Sequence, residues 1–238
     1  LMKVGFDATI LINGYKFSSG SSMASIPYVQ DKKRSTCFAG ASFLQSVEKS
    51  LNHSLPAFLM ASGGKRGRKE GAAMIYLEPP GTDPYFNLAL EEYVFEQMDR
   101  SRAYFMLWQN SNTIVVGKYQ NTAEEINQAF VDAHGIRVVR RLSGGGAVYH
   151  DMGNLNLSFI ENSSQIRPTG FTNNIIDFLE TYGLHAYSDE RQGLTIDGLK
   201  VSGSAQAIHK RRMLHHATLL FSTDLETLEH VLCPSIEY

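Results

Sequence analysis

The chain has 238 residues, a formal net charge of −2 and 43% hydrophobic residues, enough for one large domain or one domain with an extension. No run approaches the roughly 18 apolar residues of a membrane span, and no basic start followed by an apolar stretch marks a secretory signal, so a soluble protein is expected. Two cysteines, Cys37 and Cys233, are too few and too far apart for a disulfide framework or a four-ligand zinc site, which points to a reducing compartment, the cytoplasm. The charge is uneven. Residues 1–73 carry 10 Lys/Arg against 4 Asp/Glu, whereas residues 74–238 carry 12 against 20. An acidic domain of that kind is a poor general binder of nucleic acid, so any anion it holds must meet a local basic site.

Residues 1–73 begin on Leu1, are rich in serine and glycine, and end in the basic run Lys65-Arg66-Gly67-Arg68-Lys69. A short helical pattern around Phe43 to Leu51 is too little periodic apolar sequence for a folded domain. An organellar transit peptide is basic, Ser-rich and acid-poor in the same way, though shorter. A third reading is that the segment translates upstream DNA. Lys69-Glu70-Gly71 can be encoded by a purine-rich ribosome-binding sequence, with Ala72-Ala73 as spacer before a start at Met74. On this hypothesis the corresponding codons are purine-rich in that pattern, and a gene sequence lacking it would exclude the idea.

From Met74 the pattern becomes orderly. Ile75 to Leu77 reads as a strand and Pro79-Pro80-Gly81 as a turn. Asp83 is an N-cap with Pro84 at the first helical position, and Phe86, Leu90, Val94 and Met98 repeat at helical spacing, with Asn87, Glu91 and Glu92 on a solvated face without a catalytic role. Tyr104 to Trp108 and Thr113 to Gly117 are strand-like and predict a hairpin about the polar turn Gln109 to Asn112. Thr122-Ala123-Glu124-Glu125 is a capping-box pattern opening a helix that runs to His134-Gly135. Ile136 to Val139 and Leu155 to Ile160 are strands on either side of a glycine run, the second apolar on both faces. Glu161 to Thr172 reads as a surface loop, Asn173 to Tyr182 as a helix stopped at Gly183. Leu194 to Ile196 and Leu199 to Val201 flank Asp197-Gly198, a strong hairpin signal. Ala217 to Ser222 is a strand, and Thr223-Asp224-Leu225-Glu226 opens a helix that Pro234 closes. Strands outnumber helices, which predicts an α+β domain on a largely antiparallel or mixed sheet flanked by helices.

Between the two strands of the glycine run lies Arg140-Arg141-Leu142-Ser143-Gly144-Gly145-Gly146-Ala147-Val148-Tyr149-His150-Asp151-Met152-Gly153-Asn154. Glycines let a backbone bring several N–H groups to one ligand oxygen, and arginines add fork-shaped donors suited to phosphate or carboxylate. Further on, Asp197-Gly198-Leu199-Lys200-Val201-Ser202-Gly203-Ser204-Ala205-Gln206 places a lysine between a hairpin and a small-residue turn, followed by His215-His216-Ala217-Thr218-Leu219-Leu220. These three separated stretches, in this order, resemble the lipoate-protein ligases of the biotin/lipoate protein ligase superfamily, over a span from about Met74 to the end.

The resemblance implies that superfamily's catalytic-domain fold and a two-step reaction. The carboxylate of lipoate attacks the α-phosphate of ATP, giving lipoyl-adenylate and pyrophosphate, and a lysine of an acceptor domain then takes the acyl group as an amide. It implies ATP, Mg2+ and lipoate, and as partners the lipoyl domains of 2-oxoacid dehydrogenases or the glycine-cleavage carrier, with neither nucleic acid nor membrane. Catalysis of such a reaction is chiefly electrostatic, because charge accumulates first at the α-phosphate and then at the acyl carbon. Lys200 is expected to be the principal stabiliser of both. Arg140, Gly144, Gly145 and Gly146 are expected to hold the phosphate and acyl parts, with Ser143, His150, Asn154, Ser202, Gly203 and Ala205 completing the binding site. Asp151 or Asn154 is the candidate contact to Mg2+. Arg141 is read as a structural ion-pair residue, His215 and His216 as structural, and Ser143 and Ser202 as unsuited to act as nucleophiles, since the spacing gives no Ser-His-Asp arrangement. Val148, Trp108 and Phe159 are candidates for an apolar tunnel around the acyl chain.

Two departures from the family pattern stand out. Relatives carry a Gly-Arg-Asn-Asp-like segment where this chain has Asp189-Glu190-Arg191-Gln192-Gly193-Leu194, which bears on metal and triphosphate handling. They also continue beyond the position of Tyr238, so a C-terminally truncated catalytic domain is expected, with an accessory domain missing or supplied separately. Three alternatives remain open: a carrier-protein acyltransferase moving octanoyl or lipoyl groups through a cysteine thioester, although no cysteine falls between Met74 and Cys233; a truncated protein that binds lipoate or nucleotide without full ligase activity; and a biotin ligase.

Overall fold

The structure is a computed structural model and describes residues 9–12, 15–18, 74–162, 169–190 and 193–232. Near the N-terminus, β1 (Thr9–Ile12) and β2 (Tyr15–Ser18) form an antiparallel ladder with Thr9 opposite Ser18. The rest of residues 1–73, and with it the three readings of that segment, lies outside the described residues. Next come β3 (Met74–Leu77), α1 (Pro84–Glu96), β4 (Ala103–Trp108), β5 (Thr113–Val116), and the short helices α2 (Thr122–Glu125) and α3 (Gln128–His134). Flanking the glycine run are β6 (Arg137–Arg140) and β7 (Val148–His150), followed by β8 (Asn154–Asn162), α4 (Thr169–Glu180) and β9 (Ala186–Ser188). The last described elements are β10 (Leu194–Ile196), β11 (Leu199–Ser202), β12 (Ser204–His209), β13 (Arg212–Leu220) and α5 (Leu225–Val231).

The centre is a five-stranded sheet in the order β12-β13-β8-β4-β3, antiparallel except for the β3–β4 pair. Two three-stranded sheets accompany it, β6-β5-β7 and β11-β10-β9. The mixed α+β class is therefore as the sequence predicts. No helix among the described residues is long and apolar enough to cross a membrane.

Each face of the central sheet is closed by one helix. On one side Phe105, Leu157 and Phe159 are fully buried and meet Phe171, Ile175 and Phe178 of α4. The rings of Phe105 and Phe159 lie 4.9 Å apart and those of Phe159 and Phe171 4.8 Å. Truncating Phe159 here would cost about 3–5 kcal/mol, the scale for an aromatic in a packed core. It is core, not tunnel wall. The other face is apolar only in part. Ile160, Tyr104 and Leu214 pack beneath Val94 and Phe95 of α1, but the next rows are polar: Ser158 stands opposite Met106 and His216, and Asn156 opposite Trp108 and Thr218. So β8 is buried and does carry apolar residues on both faces, but on the side of α1 Ile160 alone among its residues is apolar. It alternates, with Asn154, Asn156 and Ser158 buried on the side of α1.

Several local signals fold as written. Asp83 caps α1 by accepting from the amides of Tyr85 and Phe86 at 2.9 and 3.0 Å. Asp197 and Gly198 both take positive φ, 51° and 77°, in the tight turn that joins β10 to β11. Others shift. The predicted helix from Thr122 breaks at Ile126, which bridges to Leu232, and Asn127 caps a new helix by accepting from Phe130 N. Asn121, one residue earlier than the pattern suggests, caps α2. The predicted loop Glu161 to Thr172 is shortened from both ends, because β8 runs to Asn162 and α4 begins at Thr169. The β12–β13 hairpin turns on Lys210 and Arg211, both at positive φ without a glycine, so no residue type there marks a turn.

Two corrections matter for function. Strands β4 and β5 do not form a hairpin: β4 pairs with β3 and β8, β5 with β6 and β7. Both are buried along their length, so each needs partners on both edges. The polar connection is held elsewhere, Ser111 N donating to Thr82 O at 3.0 Å. Helix α1 is also rotated from its expected setting. Phe86 is 49% exposed, while Asn87 and Glu91, one turn apart, are 0% and 1% exposed and face inward. A buried carboxylate and amide are sustained only where hydrogen bonds meet them, and the polar rows of the sheet supply these.

Candidate active site

Strand order brings the glycine run over the end of β5. Because β5 lies between β6 and β7 and runs parallel to β6, residues 141–147 must cross its C-terminal end to reach the far edge. There the chain passes close to Gly117, where a Cβ would stand 2.0 Å from Gly145 O. Only glycine fits at 117, a requirement invisible in the sequence.

Arg141 holds this crossing in shape. It is 8% exposed. Its Nε donates to Ser143 Oγ at 3.0 Å, one terminal nitrogen to Val115 O at 3.0 Å, and the other to Gly144 O and Gly146 O at 2.8 and 2.7 Å. Burial pulls its pKa down to about 10, with Glu91 working in the opposite direction. The carbonyls of Gly144 and Gly146 thus face the guanidinium. In planar trans peptides the amides of Gly145 and Ala147 must then point the other way. Neither amide meets a backbone carbonyl among the described residues, which leaves both for a ligand. Arg141 is therefore a brace bound to carbonyls, not an ion-pair residue. Arg140, the expected anion holder, points elsewhere. It donates to Gly117 O, Gln120 O and Thr122 Oγ1 at 2.7, 2.9 and 2.8 Å and pins the loop before α2. It borders a different hollow of ≈ 360 Å³, between α1 and β6, that contains neither the glycines nor Lys200.

The lysine hairpin closes the site from the opposite side. Lys200 lies on β11 opposite Thr195 and is exposed. It enters no ion pair among the described residues. Between it and the glycine loop is a cavity of ≈ 340 Å³ bordered by Gly145, Gly146, His150, Lys200, Gly203 and Ala205, with apolar walls from Leu88, Trp108, Val115, Ala147 and Val148. Three motifs far apart in sequence meet here. Trp108 and Val148, two of the candidates for an apolar tunnel, border this cavity. Of the other expected site residues, Ser143, Gly144, Asn154 and Ser202 do not border the cavity. Ser143 and Ser202 are buried behind it, and Asn154 Nδ2 donates to Asn156 Oδ1 at 3.1 Å.

The sequence reading missed a polar chain beneath this cavity. Trp108 Nε1 donates to Ser158 Oγ at 2.9 Å, and Ser158 Oγ donates to Glu91 Oε1 at 2.5 Å. His216 Nδ1 stands 3.1 Å from the same carboxylate, while its Nε2 meets Ser143 Oγ at 2.5 Å. Glu91 is thus part of the frame beneath the cavity, not of a solvated face, and His216 has the structural place read for it. A Ser-His-Glu line does exist, contrary to the expectation from spacing. It is no nucleophile assembly, because Ser143 is 1% exposed, stands off the cavity and already accepts from Arg141. It ties the glycine loop to β13 and α1.

His150 is fully buried, and burial pushes its pKa down to about 3, Arg141 and His216 adding to the shift. The ring is neutral at physiological pH. Asp151 does not fit the expected metal role. Its Oδ1 accepts from Gly153 N at 2.8 Å and its Oδ2 from Asp224 N at 2.7 Å, so both oxygens brace the β7–β8 turn and the start of α5. No group of three or more His, Cys, Asp or Glu residues suited to a metal ion occurs among the described residues. The departure at Asp189 to Leu194 has a structural meaning in part: Asp189 accepts from Gly193 N at 2.7 Å and closes its own loop. Arg191 and Gln192 lie outside the described residues, as do Cys233 and Pro234.

Residues 83–238 match the model of the lipoyl protein ligase A/B catalytic domain. Among curated proteins the chain is similar to lipoate-protein ligase 1 of Staphylococcus aureus, 45% identical over 154 residues, which are 63% of this chain and 47% of that relative. Two solved structures are similar to it. One is P. falciparum LipL1 in complex with lipoate, with a TM-score of 0.63, 29% identity, and coverage of 68% of this chain and 52% of that one. The other is lipoate-protein ligase A bound with ATP, with a TM-score of 0.62, 28% identity, and coverage of 69% and 72%. The chain spans about half the length of the curated relatives it matches.

Proposed function

Because the chain belongs to the lipoyl protein ligase A/B catalytic-domain family, we propose that it activates lipoate with ATP and passes the lipoyl group to a lysine of an acceptor lipoyl domain. In the first step a carboxylate oxygen attacks the α-phosphorus, a P–O bond breaks, and pyrophosphate leaves. In the second the acceptor amine attacks the acyl carbon, the bond to the phosphate oxygen breaks, AMP leaves and the amine gives up a proton. The observation that carries this reading is the cavity itself, where an uncommitted lysine faces two outward-turned amides across an apolar hollow. That arrangement suits an apolar acyl chain ending in a group whose negative charge moves between carbon and phosphorus. The relatives bound to lipoate and to ATP support the choice of substrates.

Lys200 is the group we assign to charge stabilisation in both steps. The amides of Gly145 and Ala147 are the fixed donors, and Arg141 acts by holding them. Mg2+ enters this reading with the nucleotide, and no step is routed through a protein-bound ion. As acceptor we propose a lipoyl domain of a 2-oxoacid dehydrogenase or a glycine-cleavage carrier, with the cytoplasm as the compartment.

The test uses the full chain with ATP, Mg2+, lipoate and an apo lipoyl domain, reading the acceptor's intact mass with and without ATP. A gain of one lipoyl group that depends on ATP is expected. A second reading, binding without complete ligase activity, is favoured by the half-length match. It predicts that lipoate and ATP bind while neither pyrophosphate nor modified acceptor appears. Transfer from preformed lipoyl-adenylate, without activity on free lipoate, would place the defect in the first step and point to a separate accessory domain.

A further inference from the structure

Two residues that border the cavity, His150 and Asn156, each have a buried side-chain nitrogen, Nε2 and Nδ2, without a hydrogen-bond partner among the described residues. For the histidine, which nitrogen carries the proton is decided by a chain that starts in α1. Asn87 Nδ2 faces two backbone carbonyls, Gly81 O at 3.1 Å and Gln109 O at 2.9 Å, which can only accept. The Asn110 atom against the same nitrogen, at 3.1 Å, must then be Oδ1. This turns Asn110 Nδ2 toward His150 Nδ1 at 3.2 Å. With an amide donor facing it, Nδ1 is the acceptor, and the neutral ring carries its hydrogen on Nε2. Burial keeps the ring neutral, and the indole of Trp108 packs edge-on against it with centroids 6.3 Å apart. Asn156 uses its Oδ1 to accept from Asn154 Nδ2, so its own Nδ2 is left without a partner among the described residues, in a side chain that borders the cavity.

We propose that Asn87 and Asn110 are positioning residues that fix His150 as an uncharged N–H donor into the cavity, and that this donor and the Asn156 amide together hold an acceptor atom of the bound acyl acid. The proposal rests on the substrate assignment above and adds to it a means of choosing among acyl acids. An unpaired buried donor is costly until a ligand meets it, so an acid that brings an acceptor to this point is favoured over one that does not. Lipoate has two kinds of acceptor: a carboxyl oxygen at the reactive end and the ring sulfurs at the far end. Octanoate has the oxygen alone.

The tautomer is read in the full chain by nitrogen NMR of the histidine ring, without any ligand. The affinities of lipoate and octanoate are then measured by calorimetry in the absence of ATP. The wild-type ring should carry its proton on Nε2, and Asn110→Leu should abolish that exclusive preference. Asn110→Leu and His150→Phe, which keeps a ring against Trp108, should each weaken lipoate about tenfold, the scale of one hydrogen bond. A loss for lipoate alone assigns the acceptor to the ring sulfur, and an equal loss for both acids assigns it to the carboxyl oxygen. If Asn110→Leu fails to fold, His150→Phe decides on affinity alone. A wild-type proton on Nδ1, or a His150→Phe chain that binds both acids as well as wild type, overturns the proposal. A wild-type chain with the Nε2 proton that binds neither acid overturns the substrate assignment and the ligand half of the proposal with it, leaving only the positioning by Asn110.

Discussion

The two loops that meet at the cavity are built on opposite principles. Residues 141–147 are stitched down: a buried guanidinium spends four donor contacts on them and on β5, and Gly117 gives them room beneath. The lysine hairpin is the reverse. Lys200 is exposed and without an ion pair among the described residues, on a three-stranded sheet whose tight turn is open to solvent. A fixed set of amides can be complementary to one position of charge, and preorganisation is what gives such donors their catalytic weight. A single cation on a flexible stem can follow charge as it moves from phosphorus to carbon. In the proposed reaction the molecule needs one of each.

This contrast is most sharply broken at Arg141. Replacing it with Leu leaves three carbonyls without their donor, the buried Val115 O and the part-buried Gly144 O and Gly146 O, and removes the brace, so stability should fall by about 3 kcal/mol and adenylation should drop to background. Denaturant unfolding and pyrophosphate release, measured on the same preparation, check both parts. Lys200→Ala should separate them. The rate of adenylation should fall about 10²-fold or more, the scale of losing one preorganised charged donor, while the unfolding midpoint stays where it was. A Lys200→Ala chain with undiminished adenylation would remove the lysine from the mechanism. A destabilised one would mean that the hairpin is not the loose partner described here.

Gly117→Ala disturbs the fixed loop from beneath. The added carbon would stand 2.0 Å from Gly145 O, so the glycine loop must lift, at a cost of about 1–3 kcal/mol for overpacking. Nucleotide affinity should weaken more than lipoate affinity if the amides of Gly145 and Ala147 serve the phosphate. Calorimetric titration with each substrate alone shows which. Equal weakening of both would indicate that the loop shapes the whole cavity.

What could be read in the sequence was local. Asp83 before Pro84 and Asp197-Gly198 between two short apolar runs each announce their structure through adjacent residues, and each folds as announced, whereas the glycine triplet, which reads as a tight turn, lies in a crossing over β5. The motif string also named residues that come together, since Gly145, Gly146, His150, Lys200, Gly203 and Ala205 border one cavity. What could not be read depends on strand order. The choice of Arg141 over Arg140 as the inward arginine follows from which of the two faces β5, and β5 was expected to pair with β4. Glu91 looks like any helix-surface acid until α1 is seen to lie across a polar row of the sheet. The alternation Asn154, Asn156, Ser158 along β8 was the available signal. Three small polar residues at period two within an apolar strand mark a face that meets something polar.

A weaker effect is expected on the other face of the central sheet, at β13. His215 is 0% exposed, stacked on Phe171 at 5.2 Å and tilted against Phe159 at 6.5 Å, with Gln206 Nε2 at 3.0 Å from its Nδ1. Burial first, and His216 second, push its pKa down to about 4. In the unfolded chain the same ring titrates near 6.5. Between these values the unfolded chain binds a proton that the folded one does not, so the stability contributed by the neutral ring is complete above about pH 6.5 and is lost as the pH falls toward 4. His150, pushed down to about 3, acts in the same direction over a wider window. Lowering the pH from 7.5 to 5 should therefore destabilise the fold by up to about 2 kcal/mol for each ring. His215→Leu should remove one ring's share, so its unfolding midpoint should fall less steeply with pH than that of the wild type. If the two slopes coincide, His215 is not protonated on unfolding in this range, and the pH dependence that remains belongs to His150 and the cavity side of the sheet.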